Sequence, residues 1–303
     1  MTTPKSEKSY YGPFFWLAVV SFIVPFFVVV RAFDAARPPA APVPVPDVSG
    51  VDHALWDYLL KSYVANGLVD YDGIARDYTF KLYLRQLGGA DPGALESDDA
   101  RLALLCNAYN AFVINGVITH RIRDSVNNYL DPADNTGFFD VKEHIFASRT
   151  LSLNEIEHEL IRAEFDEPRI HVALVCAALS CPPLRTEAYT GDRLDAQLED
   201  QARLFANNPD HVAYRPEEEA VYLSRILNWY GGDWDSHGGY LTWLAERADD
   251  TALQDALRKA AAGEIEEKYF EYDWVLNTQN ELKPGGSADP STGAFGSGSI
   301  PNE

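Results

Sequence analysis

Cys176 and Cys181 stand five positions apart in the run Arg-Ile-His-Val-Ala-Leu-Val-Cys-Ala-Ala-Leu-Ser-Cys-Pro-Pro-Leu-Arg (169–185), and the whole chain has only three cysteines. A thiol becomes a nucleophile when a base helps to form the thiolate and a third group orients that base. The chain offers all three parts. Cys176 or Cys181 would attack, His158 or His171 would act as base, and Asn107 or Glu157 would orient it. The chemistry expected is that of a thiol-dependent hydrolase or acyl transferase acting on an amide or thioester, with Asn107 or Asn110 polarising the oxyanion. Asn110, Ser180, Trp229, Tyr230 and Asp233 are the candidate substrate contacts.

Two other chemistries use the same residues. In an oxidising compartment Cys176 and Cys181 could close a small disulfide loop, leaving no nucleophile and a stapled, non-catalytic binding domain. His158, His171, Cys176 and Cys181 would make a Cys2His2 ligand set, but their spacing is not that of a zinc motif, so no metal and no cofactor is expected. Trp229, Tyr230 and Trp234 beside Asp233 suit either a binding groove or a core; large apolar side chains are usually core.

The cysteine run needs elements to position it. Val172 to Val175 reads as a short strand buried on both faces, stopped by Pro182 and Pro183, which cannot donate to a ladder. Upstream, helical spacing predicts helices over 54–65, 80–87 and 102–117, the last with an apolar stripe flanked by Asn107 and Asn110. Buried amides of this kind either satisfy the backbone of a neighbouring loop or line a site. Short strands are predicted at 139–141 and 144–146. Ser152 and Glu155 then form a capping box, which puts His158 and Arg162 four apart on one helix face. Downstream follow a helix over 193–206, a hairpin pairing 212–214 with 221–223, an aromatic helix over 226–234, helices near 240–247 and 251–261, and a closing strand over 269–276. The fold class predicted is α+β, a helical N-terminal half packed on a small, mostly antiparallel sheet, with an N-terminal transmembrane helix.

Pro13 to Val30 is an uncharged apolar run, about 27 Å long as a helix and therefore close to the hydrocarbon thickness of a bilayer. The run is longer than the apolar region of a signal peptide, and Arg31, Phe33 and Asp34 follow it where small residues would mark a cleavage site. The expected organisation is a cytoplasmic segment over 1–12, an anchor over 13–30, a polyproline linker over 31–46, a globular domain over 47–282 and a disordered tail over 283–303. The protein is expected at the membrane as a single-pass chain with its domain extracytoplasmic. The 46 acidic residues against 25 basic ones, net −21, exclude nucleic acid as a partner, because its phosphates would be repelled.

Several blocks together resemble a known family. They are Asn107-Ala108-Tyr109-Asn110-Ala111, Ile156-Glu157-His158, Arg169-Ile170-His171, Cys176 to Leu184, Trp229-Tyr230 with Asp233, and Tyr272-Asp273-Trp274 with Leu276-Asn277. In order and content these are similar to the domain of unknown function 547, over roughly 68–277. The resemblance implies an architecture, with the last block as its closing strand, and a set of positions. It implies no reaction. Cys106 stands where that family more usually has a large apolar residue, which suggests core packing.

Overall fold

The structure, a computed structural model, describes residues 49–279. The expected anchor, linker and tail lie outside those residues. Short polar side chains start the first four helices by accepting an exposed backbone N–H in each first turn. Asp52 caps α1 (His53–Tyr63), Asp70 caps α2 (Tyr71–Arg76), Asp77 caps α3 (Tyr78–Gly88) and Ser97 caps α4 (Asp98–Thr119). Between α1 and α2, strands β1 (Val64–Ala65) and β2 (Leu68–Val69) turn through Asn66 and Gly67, both at positive φ. A Cβ at residue 67 would meet that of Pro183 at 2.7 Å, so glycine there lets this hairpin pack onto the cysteine loop.

The apolar stripe expected on the third predicted helix is wider than a stripe. Fifteen residues of α4 are buried, among them Ala103, Leu104, Ala108, Ala111 and Ile114 between the predicted positions. A helix that is apolar all round belongs inside a core. By length and composition α4 could cross a bilayer, yet 83% of its apolar window is buried within the domain.

Strands β3 (His144–Phe146) and β4 (Arg149–Leu151) form a second hairpin. The expected strand at 139–141 is instead a turn closed by Gly137, Asp140 and Val141. The Ser152–Glu155 capping box is present and opens α5 (Leu153–Glu155), which widens directly into a π-helix over Ile156–Arg162. After the long α6 (Leu194–Ala206), β5 (Val212–Arg215) pairs antiparallel with β6 (Ala220–Leu223). Then come α7 (Arg225–Tyr230), α8 (Tyr240–Ala245), α9 (Thr251–Ala261) and β7 (Glu266–Tyr269), which joins β6 in parallel.

The architecture is mixed helix with small sheets. The largest sheet has one antiparallel and one parallel pair, so "mostly antiparallel" overstates it. It also packs in its own core, where Val221, Leu223, Trp234, Leu244 and Leu257 meet, while the helical half closes around α4. The closing strand predicted over 269–276 ends at Tyr269, and residues 270–275 run as irregular chain.

Two buried histidines in these cores have unmatched ring nitrogens. His144 stacks on Phe112 with neither nitrogen bonded to protein, and Nδ1 of His211 is likewise unpaired beside Phe205. Burial holds both at a pKa of about 4. The unfolded chain therefore takes up these protons first as pH falls below about 6.5. Stability is expected to be lost between pH 6.5 and 4 by about 3 kcal/mol per histidine. His144→Leu should flatten that slope in urea titrations across this range; an unchanged slope would refute the assignment.

Candidate active site around Cys176

Residues 170–175 of the cysteine run are buried, as their apolar side chains require, but they are not a strand. Pro168 opens a 3-10 turn over Pro168–Val172, capped by Glu167, and the chain beyond it is irregular. The hydrogen bonds a ladder would have supplied come from α4. Asn110, 1% exposed, donates from Nδ2 to the Ala173 carbonyl at 3.0 Å and accepts at Oδ1 from the Val175 N–H at 2.9 Å. Apolarity along 172–175 reflects burial, and a side-chain amide substitutes for a neighbouring strand.

Beyond this clamp, Ala177 sits at φ 62°, unusual for a residue with a Cβ. The C-terminal stretch runs alongside the turn. Leu179 N–H bonds to the Val275 carbonyl at 2.8 Å, Asn277 N–H to that of Ala177 at 3.1 Å, and Asp273 N–H to Ser180 Oγ at 2.8 Å. This strap brings the Tyr272 hydroxyl to 2.9 Å from Cys176 Sγ. Trp229 and Trp274 pack on the Tyr272 ring, with centroids 4.9 and 4.7 Å away. Cys176 is part-exposed, while Cys181 is buried with its Sγ accepting from the Cys176 N–H at 2.9 Å.

Burial pushes the Cys176 thiol up, but hydrogen bonds from the Cys181 side chain, the Tyr272 hydroxyl and the Ala178 N–H outweigh it, and the thiol lies below its ordinary value. Cys181 is driven the other way by its own burial and by Cys176. Burial and the two sulfurs also raise Tyr71 and Tyr272, and burial with Glu157 and Cys176 raises Tyr109 and Tyr230. Within the cluster Cys176 alone is lowered, while its neighbours Cys181, Tyr71, Tyr109, Tyr230 and Tyr272 hold their protons more tightly.

The histidines belong to a different network. Asp233 takes a two-pronged ion pair from Arg162, with Nε and Nη2 each at 2.7 Å, and His171 Nε2 at 2.7 Å. Arg162 Nη1 donates to His158 Nδ1 at 3.0 Å, so a neutral His158 carries its proton on Nε2. The ring of His171 stacks on Tyr230 at 4.2 Å, and Arg162 lies over the same ring. Glu157 accepts from the Tyr109 hydroxyl at 3.1 Å and bonds to Tyr230. Partial burial pushes Asp233 up, yet His171 and Arg162 hold its carboxyl well below the usual carboxylate range. Glu157, His158 and Arg162 all sit on the π-helix, a widening often found where function needs it.

The candidate residues thus divide. Cys176, Cys181 and Ser180 come together with Tyr272 and the aromatic shelf of Trp229. Glu157, His158, His171, Tyr230 and Asp233 form the adjoining network, and neither His158 nor His171 hydrogen-bonds to a sulfur. Asn107 joins neither group: its amide bridges the Tyr189 N–H and carbonyl at 2.9 and 2.8 Å. Asn107 and Asn110 are both committed to backbone, which leaves neither for an oxyanion. Sequence reasoning missed Tyr272 as a site residue, although the Tyr272-Asp273-Trp274 block was visible, and missed Arg162 as the bridge between the two histidines. Among the described residues, no group of three or more His, Cys, Asp or Glu side chains could hold a metal ion.

Asn110→Ala is expected to lower stability by about 3 kcal/mol, because two buried backbone groups lose partners worth roughly 1–3 kcal/mol each. Urea unfolding checks this, and an unchanged midpoint would remove Asn110 from its clamping role.

Comparison with known proteins agrees with the motif blocks over a shorter span. No curated protein and no solved structure matches the chain. Residues 94–206 match the family model described as Protein of unknown function, DUF547, a span that holds both asparagines, Glu157, His158, His171 and both site cysteines but stops before Asp233 and Tyr272. Over those residues the chain carries a DUF547-family domain.

Proposed function

We propose that Cys176 is the nucleophile of a thiol-dependent hydrolase or acyl transferase acting on an amide or thioester. We further propose that residues 13–30 tether this domain to a membrane, on its extracytoplasmic side. One observation carries the catalytic reading: the sulfur of Cys176, a residue only partly buried, receives hydrogen bonds from Tyr272, Cys181 and the Ala178 N–H. Donors aimed at sulfur favour the thiolate, and so do the work first expected of a histidine.

In this reading the Cys176 thiolate attacks the carbonyl carbon, forming a C–S bond. The tetrahedral species collapses and breaks the bond to nitrogen or sulfur. Tyr272, 2.9 Å from Sγ and protonated at neutral pH, gives its proton to the leaving group. Water or an acceptor nucleophile then attacks the acyl thioester, its proton returns to Tyr272, and Cys176 leaves as the thiolate. His158 and His171 act at one remove, through Arg162, Asp233 and the stacked ring of Tyr230.

The competing reading, a non-catalytic extracytoplasmic binding domain stapled by a Cys176–Cys181 disulfide, draws on the closeness of the same two residues. Iodoacetamide labelling of the reduced full-length chain across pH, read by peptide mass spectrometry, separates them. Cys176 is expected to label with a midpoint below 8.5 and buried Cys106 to stay unlabelled. Tyr272→Phe should raise the Cys176 midpoint by about one pH unit. A midpoint at or above 8.5, or no effect of removing the hydroxyl, would end the nucleophile reading. A linked peptide that persists in reductant would favour the staple.

A further inference from the structure

The two site cysteines are unequal in a way acyl transfer does not use. Cys176 is only partly buried, whereas Cys181 is buried. The Cys176 N–H points at the Cys181 sulfur across 2.9 Å, and the two side chains are hydrogen-bonded to each other. The turn that folds Cys181 back is specific: Ala177 takes a left-handed conformation, and Cys181 N–H bonds to the Ala178 carbonyl at 3.2 Å. Strapping by residues 273–277 holds this turn from outside. The third thiol, Cys106, is fully buried in α4 and bonds to neither.

We propose that Cys176 and Cys181 act as a dithiol pair that reduces disulfides, with Cys176 as the attacking sulfur and Cys181 as the resolving one. The inference rests on the nucleophilic Cys176 of the preceding reading and is independent of acyl transfer. In the first step Cys176 attacks one sulfur of a substrate disulfide. A new sulfur–sulfur bond forms to Cys176, the substrate's own bond breaks, and the first thiolate departs and takes up a proton. In the second step Cys181 loses its proton and attacks Cys176 Sγ, releasing the second substrate thiolate, which accepts that proton. The protein gives up two electrons and ends with a Cys176–Cys181 disulfide, and the substrate becomes two thiols. A small-molecule dithiol reverses the change by the same exchange. Burial of Cys181 gives the order its direction, because it can reach only an electrophile already bonded to Cys176.

The test treats reduced full-length chain with glutathione disulfide, quenches with acid and maps the sulfurs by non-reducing mass spectrometry. The wild type is expected to accumulate a Cys176–Cys181 link and to release two glutathione thiols per chain. Cys181→Ser should trap glutathione on Cys176, with a lifetime at least about tenfold longer than in the wild type. Wild-type protein that accumulates glutathione on Cys176 without forming the link would overturn the dithiol role and leave the nucleophile intact. No modification of Cys176 would overturn both. The wild-type arm stands by itself should the serine variant fail to fold.

Discussion

The amide of Asn110 is the contact on which the site depends. It lies inside the packing of α4 and makes two hydrogen bonds to the backbone of residues 173–175. Buried peptide groups without partners are costly, so an apolar segment entering a core must find a ladder, a helix or a side chain. Here it finds a side chain. The segment thereby keeps an irregular path, and that path leaves Cys176 partly buried with the buried Cys181 sulfur against its N–H. A ladder would have placed successive side chains on opposite faces and drawn the sulfurs apart.

The charge arrangement follows from the same geometry. Around Cys176 the neighbours are hydroxyls, a second thiol and backbone amides, none of which carries charge at neutral pH. An anion on sulfur is then stabilised by dipoles alone, and burial raises every competitor for the role. The adjoining network keeps its own balance, since Arg162 answers Asp233, while His158 bonds to Arg162 and His171 bonds to Asp233 and stacks on Tyr230. Glu157 is reached by two tyrosine hydroxyls, which link the two halves of the site without placing a cation beside the sulfur.

The helix elements were largely legible along the chain. Apolar spacing located most of the helices within a few residues, and Ser152 with Glu155 located the capping box. Misreadings came where composition reports burial and not backbone shape. Residues 172–175 and 269–276 have strand-like composition, but their partners are a side-chain amide and a loop instead of neighbouring strands. Similarly, α4 looks one-sided because only residues in the i, i+3, i+4 rhythm are read as inward, although Ala103, Leu104, Ala108, Ala111 and Ile114 between them are buried as well.

The linear order of residues was enough to establish that this chain holds two neighbouring thiols in a buried, proline-stopped run, with polar partners spread over more than a hundred positions. Local chemistry of that kind is written in residue types and short spacings. Which of those partners meet was settled only by folding. Tyr272, 96 positions from Cys176, arrives at the sulfur because an irregular strap pairs with the turn, while His171, five positions away, turns instead to Asp233. Contacts across such separations depend on the path of the whole backbone, and spacing along the chain carries no record of that path.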